Sequence, residues 1–168
     1  MPTTARTMFR CRALARCLFL LAAAAVVSPS WAGPVLDRIR SSGEVVIAHR
    51  ESSVPFSYVS PGGQPVGYAI DLCLKVVDAL RQQLALPDLR TRFVTVTPAN
   101  RIAMVEQGKA DLECGSTTNN AERREKVAFT VPHYITGARF LVKADSPVSE
   151  LRHFEGKRLA STKGTTPL

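Results

Sequence analysis

The sequence predicts an α/β fold built on a parallel sheet, and three observations predict it. Short β-branched runs alternate with amphipathic stretches between residues 35 and 114. One of them, Val45-Val46-Ile47-Ala48, is apolar at every position, as a strand covered on both faces requires. A polar segment after the third strand opens a helix, at the carboxyl-end position where parallel sheets present their functional groups.

Val35 to Arg40 reads as a short helix stopped by Ser41-Ser42-Gly43, and Val45 to Ala48 as the first strand. Phe56-Ser57-Tyr58 precedes Pro61-Gly62-Gly63-Gln64-Pro65, turn chemistry that closes a loop or hairpin. Ile70, Cys73, Leu74, Val77, Leu80 and Leu84 follow helical spacing, opposite Asp71, Lys75, Asp78, Arg81 and Gln82, so Ile70 to Leu86 is an amphipathic helix ended near Pro87. Arg92 to Val96 is the next strand. Asn100 to Gln107 is a second helix, ended by Gly108 at the C′ position. Ala110 to Cys114 is the third strand, and strand-helix repetition of this kind gives right-handed crossovers. Beyond a polar loop at 115–120, Ala121 to Val127 reads as a short helix and Phe129 to Val142 as extended chain. Ser146 to Phe154 reads as another short helix, Arg158 to Ser161 as a strand, and Gly164-Thr165-Thr166 as a turn opening a helix.

The chain has 168 residues and a formal charge of +8, which on its own suggests an acidic partner such as nucleic acid. The N-terminus removes much of that charge. Residues 1–32 hold Arg6, Arg10, Arg12 and Arg16 and no acidic residue, then the apolar run Leu18 to Val27, then Ser30-Trp31-Ala32. A basic start, a short apolar stretch and a small-x-small ending describe a secretory signal peptide cleaved after Ala32. An uncleaved anchor is the competing reading, but spanning a bilayer takes about 20 apolar residues. The remainder carries 18 basic and 14 acidic residues, a net +4. It has no basic run interleaved with aromatics, so no nucleic-acid partner is expected. Export leaves Cys73 and Cys114 in an oxidising compartment, where one bridge is possible. The reading favoured from the helix pattern is that Cys73 is a small buried apolar side chain. Neither cysteine has metal-ligand spacing, and no cofactor is implied.

Gly115-Ser116-Thr117-Thr118-Asn119-Asn120-Ala121-Glu122-Arg123-Arg124 resists a purely structural explanation. Its hydroxyls and free N–H groups suit an anion, while Asn119 or Asn120 with Glu122 would cap the helix. Cations in a helix's first turn oppose its dipole. Arg123 there makes sense if its planar fork grips a carboxylate; the plainer alternative pairs Arg123 and Arg124 with Glu122 and Glu125 on a solvated face. Arg50 and Arg101 likewise sit where a strand ends or the next element begins. Three arginines meeting at one sheet edge would repel one another without an anion between them, which suits a doubly charged ligand.

Arg50 to Tyr58, Gly67-Tyr68-Ala69-Ile70-Asp71, Asn100-Arg101-Ile102 and Asp111 to Arg123 together resemble the family-3 periplasmic solute-binding proteins of ABC transporters, and within them the glutamate/aspartate-binding branch. The resemblance covers essentially all of residues 34–168. It implies a two-lobe Venus-flytrap fold, with lobe one over residues 34–134, lobe two beginning at 138–168, and the second lobe incomplete. It also implies that Arg123 holds a ligand α-carboxylate with Thr118 and Thr166, that the Ser116 carbonyl meets the α-amino group, and that Arg50 and Arg101 hold a side-chain carboxylate. The expected partners are an acidic amino acid and an inner-membrane ABC permease, the expected location is the periplasm, and the expected state is a monomer. Pro98 departs from the branch, where a hydroxyl residue is expected, and one ligand contact goes with it. An acidic residue and a histidine of lobe two would lie beyond residue 168, and His49, His133 and His153 do not match that histidine. A chain ending here is expected to bind weakly or not at all, and to expose apolar surface on lobe one. Two other classes remain open: an enzyme on the same fold, of cyclic-acid dehydratase type, with Glu51 or Glu113 as its acid/base, and the sensing module of a receptor.

Overall fold

The computed structural model describes residues 33–166. The chain enters helix α1 (Pro34–Ser42) and leaves it through Gly43, whose N–H bonds the Ile39 carbonyl at 2.9 Å. Strand β1 (Glu44–Arg50) follows, with five consecutive buried residues. It forms the centre of a three-stranded sheet, flanked by β5 (Arg90–Val96) and β6 (Leu112–Cys114). Both neighbours are parallel to it, with Glu44 opposite Arg90, Arg50 opposite Val96, and Ala48 opposite Glu113.

Being central, β1 buries side chains on both faces, which is why its sequence is a continuous apolar run rather than an alternation. Val45 and Ile47 join Ile39, Ile70, Val77, Leu89 and Cys114 on one side. Val46 and Ala48 join Val96 and Ala110 on the other, backed by Met104 and Val105. Helix α2 (Tyr68–Gln83) covers the first face and helix α3 (Arg101–Glu106) the second. Each fully buried aliphatic side chain here contributes about 1.5–3 kcal/mol relative to exposure. Asp111 ties the layers: its carboxylate takes the Val46 N–H at 2.8 Å and pairs with Arg38 of α1.

Between β1 and α2 lies a small antiparallel sheet of β2 (Ser52–Ser53), β3 (Ser57–Val59) and β4 (Pro65–Val66). It is the hairpin that the Pro-Gly-Gly turn predicts. Gly67 lets the chain dive from it into α2: with φ of 124°, a Cβ there would sit 2.6 Å from the Phe56 carbonyl oxygen. Only glycine tolerates both conditions. Helix α3 ends as expected, with Gly108 at φ 66° following the cap residue Gln107.

Three expectations need correction. Cys73 is not a free apolar side chain: it is bonded to Cys114, 41 residues away, joining α2 to the end of β6. Helical spacing placed Cys73 facing the sheet correctly, but the strand residue it faces is set only when the sheet forms. Ser146 to Phe154 forms just one 3-10 turn, Leu151–Phe154. Pro147 disfavours helical geometry at Ser146 and supplies no N–H, and Leu151 stays exposed, so no apolar face is buried to support a longer helix. Arg158 to Ser161 forms no strand, because no described segment pairs with it and a lone strand has no ladder. The segment from Phe129 to Val142 likewise lies outside both sheets, with Ile135 and Leu141 at 89% and 100% exposure. The signal-peptide reading of residues 1–32 falls outside the described residues.

Candidate functional site

Because β1, β5 and β6 are parallel, their carboxyl ends lie along one edge, and the segments leaving them converge there. Arg50 is the last residue of β1, Arg101 the first of α3 after β5, and Ser116 and Thr118 belong to the loop leaving β6. That loop runs into helix α4 (Ala121–Arg124), shorter than the sequence suggests. Asn120 caps it, its Oδ1 accepting the Arg123 N–H at 2.9 Å. The cap is the role expected for that asparagine.

Arg101 is the unusual member. It is 2% exposed, yet its Nε and Nη1 have no hydrogen-bond partner. Desolvation lowers the Arg101 pKa; Glu113 opposes the shift, while Arg123 and Arg50 add to it. The charges of Arg123 and Arg50 thus both bear on Arg101. Among the described residues none of them, nor Arg124, forms an ion pair, so the pairing of Arg123 and Arg124 with Glu122 and Glu125 is not adopted. Arg124 instead donates to the Asn119 side-chain oxygen at 2.8 Å.

The Arg123 guanidinium bonds the Thr118 carbonyl at 2.9 Å and the Gly164 carbonyl at 3.3 Å. It thereby bridges the loop after β6 to the segment that carries Thr166. Arg123 and Thr166 line one cavity of about 360 Å³ with Pro98, Ala99, Ile102 and Lys126. Arg50, Arg101, Ser116 and Thr118 do not line that cavity. The Ser116 hydroxyl pairs with Ser53 of β2 at 2.9 Å, which fixes the loop to the small sheet.

Sequence reasoning missed Lys126, which joins Arg123 on the cavity wall; its signal is the i, i+3 spacing from Arg123. It also gave Glu113 only an enzymatic role. Glu113 Oε1 is sealed from solvent and accepts no hydrogen bond, and the Thr117 hydroxyl beside it is unpartnered as well. Burial pushes the Glu113 carboxyl above its ordinary range, while Thr117 and the charges of Arg101, Arg50 and Arg123 pull it back. His49, read as incidental, is buried and structural: Nδ1 meets the Arg50 carbonyl at 3.0 Å and Nε2 meets Thr95 Oγ1 at 3.1 Å.

An edge that gathers three guanidiniums against one carboxylate is short of negative charge, and suits an anion. The family model of the bacterial extracellular solute-binding proteins, family 3, matches residues 45–165. The chain is 42% identical over 147 residues to an L-glutamate/L-aspartate-binding protein of Pseudomonas aeruginosa, covering 87% of this chain and 48% of that one. It is 41% identical over 135 residues to a glutamate/aspartate import solute-binding protein of Salmonella typhimurium, covering 80% of this chain and 45% of that one. Among solved structures, an ancestral cyclohexadienyl dehydratase aligns with a TM-score of 0.51 and 27% identity, covering 59% of this chain and 38% of that one. The chain spans about half the length of the curated relatives it matches.

Proposed function

The chain belongs to the bacterial extracellular solute-binding proteins, family 3, and from that premise we propose that it captures an acidic amino acid, glutamate or aspartate, for an ABC importer. The observation that carries the reading is the buried Arg101, whose Nε and Nη1 lack partners while the charges of Arg123 and Arg50 bear on it. A second carboxylate on the ligand supplies the negative charge this cluster lacks; a neutral amino acid does not. The names of the two curated relatives support the same ligand class.

In this reading Arg123 holds the α-carboxylate with Thr118 and Thr166, the Ser116 carbonyl meets the ammonium, and Arg50 and Arg101 hold the side-chain carboxylate. Residues 34–134 form lobe one and 138–168 begin lobe two. Closure of the second lobe over the first buries the ligand, and the closed form docks on an inner-membrane permease from the periplasm. The protein acts as a monomer, after export by the segment 1–32. No bond is made or broken.

The reading is tested by titration calorimetry of L-glutamate, L-aspartate and L-glutamine into the full-length gene product and its Arg123→Ala variant. Glutamate or aspartate is expected to bind, with affinity lowered on the order of a hundredfold or more in the variant, as loss of a charge-assisted pair costing about 3 kcal/mol implies. Binding of glutamine with no heat from either acid overturns the specificity.

An enzyme on the same framework has two observations in its favour. Burial raises the Glu113 carboxyl, as a general acid requires, and a dehydratase shares the fold. Binding is preferred because the curated relatives at 41–42% identity bear the names of glutamate/aspartate-binding and import proteins, whereas the dehydratase is 27% identical over 59% of this chain. Turnover of a cyclic acid, lost in Glu113→Gln, would reverse that preference.

A further inference from the structure

Glu113 is the anion that this site already contains. It lies on β6 opposite Ala48, and strand alternation separates it from Leu112 and Cys114, which face the apolar core and the disulfide on α2. Every charged group acting on it comes from the other side: Arg50 from β1, Arg101 from α3 and Arg123 from α4, with the Thr117 hydroxyl beside them. Two residues on, Gly115 makes the room. A Cβ there would collide with Glu113 Oε1 and stand 3.1 Å from Arg50 Cγ, so the carboxylate and the arginine stem share the space a side chain would fill. The backbone is thus kept bare where an acid and a ligand-holding arginine are packed together.

We propose that Glu113 is a positioning residue for the ligand: it balances the arginine cluster while the site is empty and takes up a proton when an anionic ligand arrives, so that capture is coupled to proton uptake. The proposal rests on the acidic-ligand reading above and adds the coupling. Ionised, Glu113 leaves the three arginines with a net charge of +2; protonated, it leaves them at +3. Burial already works against the ionised form, while the Thr117 hydroxyl and the charges of Arg101, Arg50 and Arg123 hold it down. A carboxylate bound to those arginines neutralises their pull, so the proton is bound more tightly in the complex than in the empty protein. By linkage, affinity rises as pH falls from neutral towards the ordinary carboxylate range.

The experiment is calorimetry of L-glutamate into the full-length gene product at several pH values between neutral and mildly acidic, in imidazole and in bis-Tris, cationic buffers of that range whose heats of ionisation differ. Wild type is expected to take up a fraction of a proton per ligand and to bind several-fold more tightly at the acidic end. Glu113→Gln is expected to show neither effect. A merely structural role would lower affinity in the variant and leave its pH dependence in place. Heats independent of buffer in wild type, or proton uptake unchanged in Glu113→Gln, overturn the proposal. Where the variant does not fold, carboxyl-carbon NMR of wild type decides: a glutamate titrating above the ordinary range and moving higher on ligand addition supports it, and its absence overturns it. If neither acidic amino acid binds at any pH, the ligand reading has failed on its own. Sulfate, titrated in the same buffers, then settles the coupling by the same two signs.

Discussion

Arg101 and Glu113 show how burial and charge act together at single positions. A guanidinium with two unpartnered nitrogens in a nearly closed environment is costly, and the fold tolerates it within reach of a carboxylate that has one unpartnered buried oxygen. The stability consequence has a definite sign. Because the folded Glu113 carboxyl titrates above its ordinary range, the native state binds more protons than the unfolded one in the window above about pH 4.5. That acid's contribution therefore falls as pH rises through the window. Thermal unfolding of the empty protein is expected to show this decline, and Glu113→Gln to remove it; a variant whose pH profile matches wild type would contradict the assignment. At Asn120 the expectation is plainer. Losing the cap on the Arg123 N–H by Asn120→Ala costs about 1 kcal/mol, measured by chemical denaturation, and loosens the helix that carries Arg123.

At the scale of elements, the joint between α2 and β6 decides how firmly the site is held. The Cys73–Cys114 disulfide ends immediately before Gly115, where the loop to the arginine helix begins. Cross-linking 41 residues of chain is worth about 2–4 kcal/mol. A Cys73→Ala/Cys114→Ala double variant is expected to lose stability of that order in urea titration, with a smaller effect on ligand affinity, because Ser116 remains tied to Ser53. The helix spacing made Cys73 legible as an inward-facing residue, and the apolar run made β1 legible as a central strand. The bridge was not legible, since two cysteines 41 residues apart in sequence carry no sign of their separation in space. Ile47, fully buried at the centre of β1, is the strongest test of the core: Ile47→Ala is expected to cost about 2–5 kcal/mol by the same titration.

Across the whole molecule, order is uneven. The sheet and its helices occupy residues 34–114, whereas from Phe129 onward the described chain forms one 3-10 turn and leaves Val131, Ile135, Leu141 and Leu151 exposed. Extended backbone without ladder partners is open to proteases, and buried strands are not. Limited proteolysis is expected to cut first between about residues 131 and 160, leaving a resistant fragment that contains the intact disulfide. Early cleavage inside β1 or β5 would show that the sheet is not the stable unit.

The sequence by itself determined the α/β class, the central strand, the order of helices and strands to Cys114, and the three arginines at element ends. Each of these follows from periodicity or from local backbone chemistry, which neighbouring residues express without reference to distant ones. Tertiary structure decided which distant residues meet. It joined Cys73 to Cys114, set Lys126 beside Arg123 on the cavity wall, and left 158–161 without a partner strand among the described residues. It also packed the Glu113 carboxyl and the Arg50 stem against a bare Gly115, within reach of the charges of Arg101 and Arg123. Burial and charge depend on distances that only the packed sheet fixes, and spacing along the chain carries no measure of them.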